Sequence, residues 1–155
     1  MTGQAKRPSR LFLDTNVLVY AYDRAEPARQ QQARSLLGKL VSMGAGAVST
    51  QVLSEFFVTT TRKIRRPLTP EEALKRLAHH SRLWMVIPLT PSVVLHAASA
   101  VLDHQMSLRD AQLWAAARLS GLGVILSEDL SDGSLIGGVR FVNPFSPGFR
   151  LSDWF

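Results

Sequence analysis

The sequence predicts an α/β domain built on a parallel sheet flanked by helices on both faces. Short apolar runs alternate with segments whose apolar residues recur at helical spacing. The helical segments open on recognisable start signals, Thr69-Pro70 and Thr90-Pro91 among them. With 155 residues, 46% hydrophobic and 19% charged, the chain suits one domain over 1–155. Its core is expected at about 10–145, followed by a loop-like tail at 146–155.

Arg10 to Leu13 is an apolar run ending at an acid, as a buried strand would, and the Val17 to Tyr22 stretch continues apolar into Asp23. Pro27 can open a helix whose stripe is Ala33, Leu36, Leu37 and Leu40, with Gly44 and Gly46 breaking the chain after it. Ala47-Val48-Ser49 reads as a second strand. Thr50 could cap the next helix, because Val52 and Leu53 stand one turn from Phe56 and Phe57. The aromatic and β-branched content of Phe56 to Thr61 pulls the other way, towards a strand, and the two i,i+4 pairs decide for the helix.

Thr69-Pro70-Glu71-Glu72 combines a capping threonine, a proline at the first position and a glutamate three residues after the cap, which predicts a helix to about Arg82. Trp84 to Leu89 reads as a strand, and Thr90-Pro91 opens a helix with Ala97, Ala98, Val101 and Leu102 as its stripe. Ser107 can cap another that carries Leu113, Trp114 and Ala117 and stops at Gly121. Strands are therefore expected near 10–14, 46–49, 84–88, 123–127 and 139–142.

The absence of cysteine excludes thiolate zinc sites, disulfides and thiol nucleophiles together. The polar, basic start is followed by Leu11-Phe12-Leu13, which Asp14 interrupts too early for a secretory signal, and no run approaches the roughly 18 apolar residues of a membrane span. The expectation is a soluble cytoplasmic protein. A net charge of +6 favours polyanionic partners, nucleic acid first. Lys6, Arg7 and Arg10 cluster at the start, and Arg62, Lys63, Arg65 and Arg66 form a denser group before Pro67.

Four separated stretches set acids beside hydrophobic runs: Leu13-Asp14-Thr15-Asn16, Ser54-Glu55-Phe56-Phe57, Leu108-Arg109-Asp110-Ala111 and Leu126-Ser127-Glu128-Asp129. Each acid alone could serve a cap or a turn, and Asp110 in a first helical turn suits the helix dipole. In a parallel α/β sheet, ligands bind outside the carboxyl ends of the strands. Asp14 and Asp129 follow strands, while Glu55 and Asp110 fall in early helical turns that could face the same edge. Four converging acids repel one another unless a cation neutralises them, and magnesium or manganese prefers such oxygen ligands. Asn16 and Ser127 could orient the carboxylates.

Asp14-Thr15-Asn16 after an apolar strand, Ser54-Glu55-Phe56 opening a helix, Asp110-Ala111 in an alanine-rich helix, and Ser127-Glu128-Asp129 followed by Asn143-Pro144-Phe145 resemble the PIN-domain nucleases over about Leu11 to Phe145. Within that family the chain looks like the single-domain toxin ribonucleases of VapC type. The resemblance implies a five-stranded parallel sheet of order 3-2-1-4-5. It also implies an acidic quartet, Asp14, Glu55, Asp110 and Asp129, that binds Mg2+ or Mn2+ and activates water for hydrolysis of RNA to 5′-phosphate and 3′-hydroxyl products. A small antitoxin partner and a homodimer are implied as well. The fourth motif holds three acids: Asp129 stands where the family motif puts its acid, and Asp132 before Gly133 could be a turn residue or a further metal-site acid.

Arg62, Lys63, Arg65 and Arg66 could hold the RNA backbone or could be a solvated helix end. His79, His80, His96 and His104 show no His-Glu-x-x-His spacing and read as surface or packing residues; Trp84 and Trp114 read as core. Trp154 and Phe155 could dock on the domain or on a partner. Haloacid-dehalogenase chemistry needs a second acid where Asn16 stands, and a receiver domain needs adjacent acids after the first strand and a lysine after the last. Dinucleotide and P-loop fingerprints are missing. The remaining alternative is a non-catalytic RNA- or partner-binding module on the same fold.

Overall fold

A computed structural model describes residues 10–155. Lys6 and Arg7 of the basic start lie outside the described residues, while Arg10 donates from Nη1 to the Gly46 carbonyl at 3.4 Å. Among the described residues, six strands form one sheet: β1 (Leu11–Leu13), β2 (Gly46–Ser49), β3 (Met85–Ile87), β4 (Val124–Leu126), β5 (Leu135–Ile136) and β6 (Val139–Val142). Their order is β3-β2-β1-β4-β6-β5. The five expected strands are parallel and in the expected order, β6 being the fifth of them.

The strand count needs correcting from five to six. The added β5 pairs antiparallel with β6 through Leu135↔Arg140 and Ile136↔Val139. Gly137 (φ 53°) and Gly138 (φ 81°) form the two-residue turn between them, a geometry that needs positive φ at both positions. A strand of two residues has too little alternation to be legible by period, and only the glycine pair signals it.

The helices are α1 (Thr15–Tyr20), α2 (Pro27–Met43), α3 (Thr50–Arg62), α4 (Pro70–Leu83), α5 (Pro91–His104) and α6 (Leu108–Leu119). The capping box of α4 is complete: Thr69 Oγ1 accepts from the Glu72 N–H, and Glu72 accepts from the Thr69 N–H. Ser107 caps α6 by accepting from the Asp110 N–H, as the sequence indicates. At α3 the cap is Ser49 rather than Thr50. Ser49 Oγ accepts from the Val52 N–H, while Thr50 Oγ1 accepts from the Leu89 N–H after β3. The helical reading of 52–57 holds, because Val52 and Phe56 are both buried on one face.

Helix α1 does not declare itself in sequence. It has six residues, and its Val17, Leu18 and Val19 are buried as a block instead of forming a stripe. The core lies on both faces of β1 and β4, whose residues are all buried. In β2, Gly46 admits the Trp84 ring so closely that a Cβ there would overlap it. The tail contains a turn of 3-10 helix at Leu151–Trp154, and Trp154 and Phe155 pack against the domain's own core. No helix among the described residues is long and apolar enough to cross a membrane.

Candidate active site

The chain runs from β1 outward to β2 and β3, then returns to place β4 and β6 on the other side of β1. The reversal falls between β1 and β4, and a crevice opens there at the carboxyl ends of the strands. Glu55, Asp110, Asp129, Asn16, Thr15, Lys63 and Arg109 line it among others, and Asp14, which has no exposed surface, is bonded to Thr15 and Arg109 of that lining.

Asp14 immediately follows β1 and caps α1, Oδ1 accepting from the Thr15 N–H at 2.6 Å. Its Oδ2 accepts from the Ser127 hydroxyl at 2.7 Å across the β1–β4 seam and from Asn16 Nδ2 at 3.5 Å. Glu55, in α3, accepts from the Thr15 hydroxyl at 2.7 Å and from Gln51 Nε2 at 3.0 Å. Asp110 comes from the first turn of α6. Arg109 joins these three acids: Nη2 donates to Asp14 Oδ1 at 2.8 Å and Glu55 Oε2 at 2.7 Å, and Nη1 donates to Asp110 Oδ1 at 2.9 Å.

The electrostatics follow from burial. Desolvation pushes the Asp14 carboxyl above the ordinary aspartate value, and Arg109, Ser127 and the Thr15 N–H offset it only in part. Glu55 is also raised by desolvation, but hydrogen bonds from Gln51, Thr15 and Arg109 outweigh that and leave it below the ordinary value. Arg109 is desolvated too, yet Asp14 and Glu55 hold its guanidinium charged.

The three acids of the fourth motif separate cleanly. Asp129 lines the crevice, its Oδ2 accepting from Asn16 Nδ2 at 3.0 Å and its N–H donating to Ser127 Oγ at 3.1 Å. Glu128 turns away, accepting from the Tyr20 hydroxyl at 3.3 Å and pairing with Arg29 at 3.2 Å. Asp132 ties a loop by accepting from the Asn143 N–H at 2.9 Å and the Ser146 hydroxyl at 3.2 Å. Asp132 is not among the residues that line the crevice. Asn16 joins the two sides of the site, contacting Asp14, Ser127 and Asp129 through Nδ2 while its Oδ1 accepts from the Glu128 N–H at 3.3 Å.

Of the basic group, Lys63 stands at the end of α3 and lines the crevice, and Arg62, Arg65 and Arg66 are exposed on and after that helix end. The histidines lie in aromatic packing. His96 stacks on Trp114 at 5.2 Å, His104 meets the same ring at 5.8 Å, and His79 meets the buried His80 at 6.0 Å. Trp84 and Trp114 are core residues.

Arg109 and Thr15 are site residues to which the sequence reading assigned no role. Arg109 carried a signal: a cation in the first turn of a helix opposes the macrodipole, so another interaction must hold it there. Among the described residues, no three acids or histidines approach closely enough, as they stand around the guanidinium, to hold a metal ion. The donor chemistry nevertheless suits one. Oxygens of three carboxylates already converge on a single cationic group, and hard divalent ions take such ligands.

Comparison with known proteins agrees with this architecture. The toxin–antitoxin complex from Klebsiella pneumoniae superposes with a TM-score of 0.64 at 19% identity, covering 88% of this chain and 98% of that one. DNA-bound VapBC from Salmonella typhimurium gives 0.63 at 18%, covering 85% and 96%. VapC20 from Mycobacterium tuberculosis, a sarcin-ricin loop cleaving toxin, gives 0.57 at 20%, covering 74% and 86%. The search of curated proteins returns no match. The family model described as PIN domain matches residues 11–131, most of the chain and all four acidic positions, and the chain belongs to the PIN-domain family.

Proposed function

We propose that this protein is a divalent-metal-dependent endoribonuclease, the toxin of a toxin–antitoxin pair, with Asp14, Glu55, Asp110 and Asp129 as its catalytic acids. The observation that carries the reading is the convergence of Asp14, Glu55 and Asp110, from three different elements, on one cationic group at the switch-point crevice. The similarity to solved toxins and toxin–antitoxin complexes supports the RNA substrate and the small antitoxin partner.

A bound Mg2+ or Mn2+ would make water acidic enough to attack a phosphodiester and would stabilise the charge that develops on the phosphate. The residues of the chain supply the rest. Asp14, Glu55, Asp110 and Asp129 furnish the oxygen ligands, and Ser127, Thr15 and Asn16 aim those carboxylates through the hydrogen bonds described above. Lys63 at the crevice wall, with Arg62, Arg65 and Arg66 beyond it, offers the phosphate backbone a positive track. The products would be a 5′-phosphate and a 3′-hydroxyl, with no covalent protein intermediate.

The test is incubation with labelled RNA in Mg2+, Mn2+ or EDTA, beside Asp14→Asn and Asp110→Asn. Cleavage should require the metal and vanish in both variants. Cleavage absent with either ion, or surviving in both variants, would sink the nuclease reading; absence accompanied by RNA binding would favour a non-catalytic module.

A further inference from the structure

Asp14 is fully buried, and each of its two oxygens is already engaged. One partner is the Thr15 backbone N–H, which cannot leave without unwinding the start of α1. Ser127 is buried, and Asn16 is held by contacts to Ser127, Asp129 and Glu128. Arg109 differs from them. Its side chain is 38% exposed and lines the crevice, so water already reaches it and its departure uncovers no backbone group of a helix start. At Asp14 Oδ1 the place an incoming ion would take is the one where Arg109 now stands.

The same guanidinium keeps the metal-free cluster together. Without it, Asp14, Glu55 and Asp110 would face one another with no opposing charge between them, a costly arrangement where Asp14 is desolvated. A divalent ion neutralises those oxygens at least as well, so ion and guanidinium compete for one position and cannot both hold it. The position of Arg109 in the first turn of α6 adds to the asymmetry, because the helix dipole favours its departure once the acids are otherwise neutralised.

We propose that Arg109 is the resident counter-cation of this site: it holds the acids in the metal-free protein and is displaced by the divalent ion, so it sets the ion concentration at which the site fills. The proposal rests on the metal-dependent reading above. Arg109 acts as a positioning residue, through the carboxylates.

Mn2+ binding to the full chain, measured by calorimetry, tests it on wild type, Arg109→Ala and Arg109→Lys, with thermal melting in EDTA and in saturating Mn2+. Arg109→Ala should bind Mn2+ about tenfold or more tightly than wild type, since no cation has to leave. It should melt lower in EDTA, and Mn2+ should narrow or reverse that difference. Arg109→Lys, a single point charge without the fork, should fall between the two. Unchanged or weaker Mn2+ affinity in folded Arg109→Ala overturns the proposal. If Arg109→Ala does not fold without metal, an unchanged affinity in Arg109→Lys overturns it equally. Wild type and variants all failing to bind Mn2+ would remove the metal reading and this proposal together, whereas wild-type binding with no gain in the variants removes this proposal alone.

Discussion

Ser127 donates its hydroxyl hydrogen to Asp14 Oδ2 at 2.7 Å, joining the ends of β1 and β4 beneath the crevice. The same oxygen of Ser127 accepts from the Asp129 N–H at 3.1 Å, so one side chain orients the acid of the first motif and the loop that carries the fourth. Ser127→Ala should lower stability by about 1–3 kcal/mol, because it leaves a desolvated carboxylate short of a donor. Urea unfolding with EDTA present measures this. Under the proposed function the variant should also bind Mn2+ roughly 10-fold more weakly.

The fourth corner can be tested by two matched substitutions. Asp129→Asn should weaken Mn2+ binding and slow RNA cleavage severely, since that carboxylate faces the crevice. Asp132→Asn should leave both within about twofold, while costing about 1 kcal/mol through its contacts with Asn143 and Ser146. Equal losses of Mn2+ affinity in the two variants would show the assignment to be wrong.

Stability should fall in acid through His80. The Trp84 Nε1–H can only donate, so His80 Nδ1 accepts at 2.9 Å and the ring proton sits on Nε2, facing the Tyr22 hydroxyl at 2.8 Å. Burial, then the positive charges of His79 and Arg76, lowers the His80 pKa to about 4 from 6.5. Between those values the unfolded chain binds a proton that the folded one does not. The stabilisation is therefore complete above pH 6.5 and is lost as pH falls towards 4, by roughly 3 kcal/mol at about 1.4 kcal/mol per unit. His80→Gln should flatten this part of the urea-midpoint profile between pH 7 and 4.

The basic helix end predicts a separation of binding from metal affinity. Arg65→Glu with Arg66→Glu should weaken RNA binding and shallow its salt dependence, with Mn2+ affinity unchanged. Unaltered RNA binding in filter assays would assign those arginines to solvent alone.

Much of the fold was legible because its signals are local. The Thr69–Glu72 capping box, the Thr90-Pro91 start and the Ser107 cap each depend on a few neighbouring residues, and all three occur as read. Helix α1 and strand β5 escaped because each is too short to display a period; packing and one glycine turn define them. The move of the α3 cap from Thr50 to Ser49 has a similar cause, since Thr50 is engaged by Leu89, a residue far along the chain.

The sequence by itself determined the α/β class, the boundaries of most elements and the four motifs that set acids beside buried runs, because apolar period, caps and such motifs are written in adjacent residues. Only the tertiary structure decided which acid of the fourth motif faces the crevice, and that Arg109 stands among Asp14, Glu55 and Asp110. Those relationships join residues as far apart as Asp14 and Arg109. They depend on side-chain direction and burial, which arise when β1, α3 and α6 meet at one end of the sheet.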